Sequence, residues 1–347
     1  MYAQAHTTSQ LPAPLSPMSK MYQQLTEEDI DHFMQHGWLK LSKCFTQEDA
    51  DNKISNVWTR LGMSPTDKST WHTERTNMPT HHTFKADKFA PKAWAAICDL
   101  LGGEEHIADY NRTWNDGLIV NLGTPEGEGK EVKPQDLPGW HVDGDFFVHY
   151  LDSPEQGLLV IPLFTDIEAG GGGTMICPAA IPKMARHLYE HPEGVSPRMT
   201  PRAQTPTFAH EDTLQWFCDV AKSMPDNAFV EATGKVGDVY LLHPLMLHSA
   251  SHNKLRNVRI ITNPPVSLKE PFVFDREDAS QHSLVERKTL AALGEEKLTG
   301  WKIAGNRDRI VPERIRRQQR MREQELERLK AEKMPEQDGP IQVASEA

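Results

Sequence analysis

The chain has 347 residues, a formal net charge of −11 and 38% hydrophobic residues, enough for a sizeable core in one large domain or two modest ones. The acidic balance argues against general nucleic-acid binding, because phosphate contacts need clustered lysines and arginines. It also gives no support to a polybasic membrane anchor, and no apolar run approaches the length that spans a bilayer.

The first 21 residues are rich in Gln, Thr, Ser, Ala and Pro and lack the basic and apolar regions of a secretory signal. We interpret them as a disordered tail. The cysteines are scattered and show no Cys-x-x-Cys spacing, which favours a reduced, cytoplasmic chain with buried thiols. They are Cys44, Cys98, Cys177 and Cys218.

The N-terminal part reads as helical with one strand. Thr26 and Thr46 are each followed by acidic residues, as helix N-caps are, and the second helix is predicted to run to about Leu61. The segment Trp38-Leu39-Lys40-Leu41 between them is typical of a strand. Residues 63–92 are polar, so we predict a loop or lid there, followed by a helix over residues 91–101.

From Gly117 onward the pattern becomes β. Helices followed by a run of strands with turn residues between them indicate an α+β chain with a double-sheet β-barrel at its centre. The predicted strands cover residues 118–122, 157–166, 174–177, 229–232 and 238–247, with a short helix at 181–190.

Residues 301–333 are rich in Arg, Lys and Glu and lack a clear apolar stripe. A solvated C-terminal helix is the simpler interpretation. A docking or dimerisation helix is the alternative, so a homodimer stays open.

The most informative motif is His141-Val142-Asp143. The two residues are two apart, so on a β-strand both side chains project from one face. His248, on a later apolar run, could complete a set of two imidazoles and one carboxylate. Such a facial triad leaves positions open on Fe(II).

Two residues compete with these ligands. His243 lies five before His248, so on an unbroken strand it would point to the opposite face, although Pro244 could bend the strand. Asp145 competes with Asp143 from the same face of its strand.

Arg259 lies eleven residues after His248 on another apolar run. A guanidinium there could bind a carboxylate through two hydrogen bonds without losing its charge. The combination predicts an enzyme that uses iron, oxygen and a keto-acid.

At this point the chain resembles the phytanoyl-CoA dioxygenase family of Fe(II)- and 2-oxoglutarate-dependent oxygenases, over most of residues 22–268. The resemblance begins with Leu-Thr-Glu-Glu-Asp-Ile-Asp-His-Phe-Met-Gln-His-Gly-Trp-Leu-Lys-Leu at residues 25–41. It continues through Trp140-His141-Val142-Asp143 and ends in Leu247-His248-Ser249-Ala250-Ser251-His252-Asn253 with Arg259.

The resemblance implies a fold and a division into regions. It implies a double-stranded β-helix (jelly-roll, cupin-like) core over about residues 117–268, with flanking N-terminal and C-terminal helices. The oxygenase domain would cover residues 22–275. A charged helical extension with a disordered end would cover residues 276–347.

The resemblance also implies roles for particular residues. His141, Asp143 and His248 would hold Fe(II), with 2-oxoglutarate and O2 as co-substrates. Arg259 would pair with the distal carboxylate of 2-oxoglutarate, assisted by the hydroxyl of Thr174. Where the family often has another hydroxyl, this chain has Ala250, so Ser249 or Ser251 would have to substitute.

The presence of a carboxylate at position 143 favours hydroxylation or a related oxidation, since halogenating relatives carry a small residue there. The expected substrate is a small organic molecule. Trp71, His72, Arg75 and Met78, with Phe146 and Phe147, are candidates for its pocket or lid, although ordinary packing explains each as well. A cupin-type metalloenzyme without keto-acid, a protein hydroxylase and a catalytically silent binding protein are the alternatives.

Overall fold

The computed structural model describes residues 22–205 and 213–333. The predicted disordered tail at residues 1–21 and the predicted disordered end after residue 333 lie outside the described residues. In the part described, the protein is a mixed helix and sheet structure. Its helices are α1 (Glu27–His36), α2 (Gln47–Ile54), α3 (Val57–Leu61), α4 (Ala86–Phe89), α5 (Pro91–Leu101), α6 (Ile181–Glu190), α7 (Gln215–Lys222), α8 (Leu284–Leu293) and α9 (Arg314–Lys333).

The strands pair antiparallel in four groups, ordered β1-β9-β6-β12, β10-β7-β8, β11-β5-β2 and β3-β4. They are β1 (Trp38–Leu41), β2 (Arg75–Asn77), β3 (Thr83–Lys85), β4 (Thr113–Asn115), β5 (Ile119–Asn121), β6 (Leu158–Pro162), β7 (Thr174–Cys177), β8 (Val230–Ala232), β9 (Val239–Leu242), β10 (Leu247–Ala250), β11 (Arg259–Ile261) and β12 (Pro265–Val266).

Isolated bridges extend these groups into larger sheets. A bridge between Leu163 and Ile261 joins the chain just after β6 to β11, and so links the first group to the third. A bridge between His141 and His248 adds the residues around His141 to the free side of β10. The long apolar side chains of the strands and N-terminal helices form one continuous buried cluster.

The local sequence explains the N-terminal helices. The hydroxyls of Thr26 and Thr46 each accept a hydrogen bond from the backbone N–H three residues later. The carboxylates of Asp29 and Asp49 each accept one from the backbone N–H of that threonine, so both helix starts are capping boxes. The second predicted helix is interrupted at Ser55 and Asn56, and appears as α2 and α3 rather than as one helix.

The prediction of a loop or lid over residues 63–92 was wrong in part. Within it, β2 pairs with β5, β3 pairs with β4, and α4 follows. Trp71 and Met78 are buried there, so apolar anchors tie the segment to the core. The sequence pattern did not predict this packing, because the residues between Trp71 and Met78 are polar.

Two further predictions need correction. The run from 238 to 247 is not one strand, because a turn closed by the Met246 N–H and the His243 carbonyl separates β9 from β10. The charged helix starts at Arg314 rather than near residue 301, and it is not a purely solvated helix, since Glu325 on α9 is only 2% exposed.

Among the described residues, no helix is both long and apolar enough to cross a membrane.

Candidate metal and keto-acid site

The structure brings His141, Asp143 and His248 together. His141 Nε2 lies 3.3 Å and His248 Nε2 lies 3.5 Å from the same oxygen, Asp143 Oδ1. The ligand atoms of all three residues fall within 4.8 Å of one another, so they could hold a metal ion. Backbone pairing explains this proximity, because His141 exchanges two N–H···O hydrogen bonds of 2.9 Å with His248 on β10. This isolated bridge is all that forms of the predicted strand, since Asp143 already lies in a bend.

Backbone carbonyls set the tautomer of both imidazoles. His141 donates from Nδ1 to the Gly139 carbonyl at 2.7 Å, and His248 donates from Nδ1 to the Met246 carbonyl at 3.0 Å. A proton held on Nδ1 leaves the Nε2 lone pair available as a ligand. The two Nε2 atoms are therefore prepared for a metal.

Asp143 is held as a carboxylate. Burial alone would raise its pKa, but hydrogen bonds from His141 and His248 outweigh burial and hold the pKa well below its ordinary value. Burial opposes protonation of His141, yet the hydrogen bond and charge of Asp143 raise the pKa of this imidazole. The side chains of His141 and Asp143 are 35% and 23% exposed to solvent, so a small molecule can reach them.

Asn263 is a site residue that the sequence did not reveal. Its side-chain amide donates to Asp143 Oδ2 at 3.2 Å, which leaves Oδ1 directed at the two imidazoles. Asn263 follows β11, four residues after Arg259, and no spacing rule marks it. Hydrogen bonds of this kind orient a ligand and tune it.

The competing ligands lie elsewhere. His243 is fully buried, donates from Nε2 to Thr289 on α8 at 3.0 Å, and accepts the Leu245 N–H on Nδ1. Both of its nitrogens are used, and burial lowers its pKa to about 3. Asp145 forms a two-point ion pair with Arg314 instead of facing the imidazoles.

Arg259 and Thr174 form the second part of the site. Thr174 partners Ala250 across β7 and β10, two residues beyond the pair of His248 with Ile176, so Thr174 and His248 lie on one face about 7 Å apart along the strands. Arg259 donates from Nη2 to the Thr174 hydroxyl at 2.9 Å, although it comes from the other sheet. Sheets β10-β7-β8 and β11-β5-β2 therefore face each other here.

The Arg259 guanidinium is buried and forms no ion pair with any described residue. It is 2% exposed, its Nε has no hydrogen-bond partner, and in the described ranges no carboxylate lies within ion-pair distance of it. Burial, followed by the charge of Arg75, lowers its pKa to about 9, and the charge of Glu231 offsets only part of this lowering. Arg75, Asn121 and Arg259 are neighbours in register across β2, β5 and β11, so they share one face.

The serines near His248 lie on the opposite face. Ser249 and Ser251 alternate with His248 and Ala250, and side chains one residue apart on a strand point in opposite directions. The Ser249 hydroxyl donates to the Ala250 carbonyl, and the Ser251 hydroxyl donates to Glu231 at 3.0 Å. These contacts occupy both hydroxyl protons.

No family model and no curated protein matches the sequence. Among solved structures, HygX from Streptomyces hygroscopicus with nickel and 2-oxoglutarate bound is 10% identical, with a TM-score of 0.38 over 71% of this chain and 88% of that one. SnoK, a non-heme alpha-ketoglutarate-dependent carbocyclase from nogalamycin biosynthesis, is 16% identical, with a TM-score of 0.36 over 72% and 86%.

EvdO2 from Micromonospora carbonacea var. aurantiaca is 13% identical, with a TM-score of 0.36 over 73% of this chain and 96% of that one. At these identities and TM-scores, an assignment of function depends on the site itself.

Proposed function

We propose that the protein is a non-haem Fe(II)/2-oxoglutarate-dependent dioxygenase that hydroxylates or otherwise oxidises a small organic substrate. One observation carries this proposal: two imidazoles and a carboxylate could hold a metal ion, and His248 among them shares a strand face with Thr174. Thr174 contacts the buried Arg259 guanidinium, which forms no ion pair in the described part of the chain. The first feature suits a metal and the second suits an anion. A dicarboxylic keto-acid would satisfy both.

The donor set fits ferrous iron. Nitrogen from His141 and His248 and oxygen from Asp143 form the combination of two histidines and one carboxylate that is diagnostic of non-haem Fe(II) oxygenases. These three residues would hold iron, which with O2 and 2-oxoglutarate would supply the oxidation of a substrate C–H bond to C–OH, coupled to conversion of 2-oxoglutarate into succinate and CO2. The protein contributes ligand orientation, a recess and substrate placement.

The Arg259–Thr174 pair fits the distal carboxylate of 2-oxoglutarate. A guanidinium buried without an anion is costly, because the lost hydration of the charge is not replaced. A carboxylate ligand would restore that interaction through charge-assisted hydrogen bonds. This observation favours a keto-acid enzyme over a cupin-type metalloenzyme in which Arg259 would be purely structural.

The strand order supports a double-stranded β-helix. Residues around His141, β10, β7 and β8 are neighbours in one sheet, and β2, β5 and β11 connect to β6, β9 and β1 in the other. Strands adjacent in space thus come from distant parts of the chain, as in a jelly roll. Together with the motifs of the phytanoyl-CoA dioxygenase family, this order is the support for placing the chain near that family.

The remaining alternatives have less support. The complete donor set, with both Nε2 atoms facing Asp143 Oδ1, argues against a catalytically silent protein. The recessed but partly exposed His141 and Asp143 suit a small-molecule substrate, and no observation favours a protein substrate instead. Pocket residues such as Arg75, which is exposed and shares the face of Arg259, are where selectivity for that molecule would arise.

The test is keto-acid consumption. Protein loaded with Fe(II) under anaerobic conditions is mixed with O2, labelled 2-oxoglutarate and fractionated metabolite extracts, and labelled succinate is measured. We expect at least one fraction to stimulate succinate formation in the wild type and in His243→Gln, but not in Asp143→Ala. Equal succinate formation by the wild type and Asp143→Ala in every fraction would rule out the proposal.

A further inference from the structure

The C-terminal arm, defined as residues 303–313, runs beside the loop that follows Asp143. The Val148 N–H donates to the Asp308 carbonyl at 3.0 Å, and the Ile310 N–H donates to the Phe146 carbonyl at 2.8 Å. Phe147 and Arg309 form an antiparallel bridge between them. The arm thus acts as a partner strand for residues 146–148, starting three residues beyond a candidate metal ligand.

Packing reinforces this pairing. Val148 and Tyr150 are 1% and 2% exposed, and they form a small apolar cluster with Ile303 and Ile310 that is separate from the main core. The Tyr150 hydroxyl donates to the Asn306 carbonyl at 2.7 Å. Burial of these side chains depends on both the loop and the arm, so removing the arm would expose the loop's apolar side.

Arg314, the first residue of α9, holds the near end of the loop. Its Nη2 lies 2.7 Å from Asp145 Oδ1, and its Nε contacts the other oxygen of the same carboxylate. Two-point contacts between a guanidinium and a carboxylate fix direction as well as distance. Gly144, between Asp143 and Asp145, has a φ of +117°, so the chain turns at this point.

The other part of α9 is anchored firmly. Glu325 accepts hydrogen bonds from Arg60 Nε at 2.9 Å and from His81 Nε2 at 2.7 Å, and Arg60 is fully buried. Arg60 also donates to the Pro79 carbonyl at 2.6 Å. Breaking a buried ion pair leaves an uncompensated charge, so α9 has little freedom to leave this position. Arg314 is therefore presented to Asp145 from a fixed support.

We infer that Arg314 is a positioning residue for the metal site. By holding Asp145 and the loop behind it, Arg314 keeps Asp143 directed at His141 and His248, and the C-terminal extension becomes part of the site. This inference rests on the proposed function, because it needs the triad to bind a metal. Substitution of residues that orient metal ligands without binding the metal typically lowers metal affinity by about 10–100-fold.

The experiment uses Co(II) as the probe, because its visible absorption reports the number and kind of ligands. The full chain and its variants are titrated with Co(II) in the absence of oxygen. We expect Arg314→Gln and Asp145→Asn each to raise the Kd for Co(II) by about 10–100-fold and to alter its spectrum. The matched control is Arg316→Gln, since Arg316 is 76% exposed and pairs with Glu313 at 3.7 Å. It should bind as the wild type does.

The outcomes separate the inference from its premise. Wild-type affinity and spectrum in both Arg314→Gln and Asp145→Asn would overturn the positioning role while leaving the metal site intact. Failure of the wild type to bind Co(II), or equal binding by His141→Ala, would overturn the proposed function instead. Circular dichroism melts identify unfolded variants, and if Arg314→Gln does not fold, Asp145→Asn alone decides.

Discussion

His248 and His243 lie five residues apart and are both buried, yet they occupy different environments. The His248 ring shares a recess with Asp143 and His141, and its proton is held on Nδ1 by a backbone carbonyl. The His243 ring lies beneath α8, where Thr289 and the Leu245 N–H use both of its nitrogens. The two rings are separated by the turn between β9 and β10.

The difference shows how one fold can prepare one histidine for a metal ion and pack another histidine into the core. Burial by itself does not distinguish them. What distinguishes them is the partner of the second ring nitrogen. A ring anchored through Nδ1 whose Nε2 faces a carboxylate can share a metal ion with that carboxylate, whereas a ring bonded to a hydroxyl and a backbone N–H is part of the packing.

Metal affinity should differ most between variants of His248 and His243. His248→Ala removes a proposed ligand, so we expect the affinity of this variant for Fe(II) or Co(II) to fall by more than the roughly 10–100-fold caused by changes outside the ligand set. His243→Gln should retain wild-type affinity. Isothermal titration under anaerobic conditions measures both, and the reverse result would exchange the roles of the two histidines.

The next largest effect is expected at Arg259. Arg259→Met removes the cation that we propose for the distal carboxylate of 2-oxoglutarate. Losing one partner of a buried charge pair costs about 2 kcal/mol or more, which corresponds to a roughly 30-fold or larger increase in the Kd for 2-oxoglutarate. Titration of the metal-loaded protein with 2-oxoglutarate measures this Kd.

The same variant should not lose thermal stability in the absence of the keto-acid. It removes a buried charge that has no counter-ion among the described residues. Unchanged 2-oxoglutarate affinity together with a large loss of stability would make Arg259 a structural residue.

The pH dependence of stability should show that His243 is a neutral, buried core residue. Its pKa is about 3 in the folded protein against 6.5 ordinarily, so between these values the unfolded chain binds the extra proton. The stabilisation is complete above pH 6.5 and is lost as the pH falls toward 3, by up to about 1.4 kcal/mol per pH unit. Urea unfolding of the wild type and His243→Gln should show a shallower pH dependence in the variant. Identical slopes would contradict a neutral buried ring.

The smallest expected effect is on the affinity for 2-oxoglutarate, and it distinguishes the hydroxyl of Thr174 from that of Ser251. Thr174→Val removes the hydroxyl that accepts from Arg259, and one hydrogen bond of about 0.5–1.5 kcal/mol corresponds to a roughly 2- to 10-fold weaker binding of 2-oxoglutarate. Ser251→Ala removes a hydroxyl that donates to Glu231, so affinity should stay within the error of the titration. A larger effect of Ser251→Ala would place the second contact on that serine.

The sequence predicts which three residues come together, although not by the expected geometry. His141 forms only an isolated bridge and Asp143 lies in a bend, so the two residues are not on one regular strand. Pro244 left the direction of His243 open, and the turn between β9 and β10 places His243 away from His248. The helix starts at Thr26 and Thr46 follow from local capping chemistry and are present in the structure.

The rest depends on contacts between distant parts of the chain. Asn263 reaches Asp143 across 120 positions, and Arg314 reaches Asp145 across 169. Neither residue has a periodicity or spacing that marks a partner, since a polar side chain after a strand and an arginine in a charged helix are common features. Only the folded backbone decides which of many similar side chains meet.

Under the proposed function, Arg259 has a consequence for which keto-acids the protein would accept. A monocarboxylic keto-acid such as pyruvate, with its one carboxylate at the metal, would have no second carboxylate for the desolvated guanidinium. Sites built around a buried polar group reject analogues that lack its partner far more strongly than apolar pockets reject a missing methylene. The buried charge would therefore select for a keto-acid with a second carboxylate.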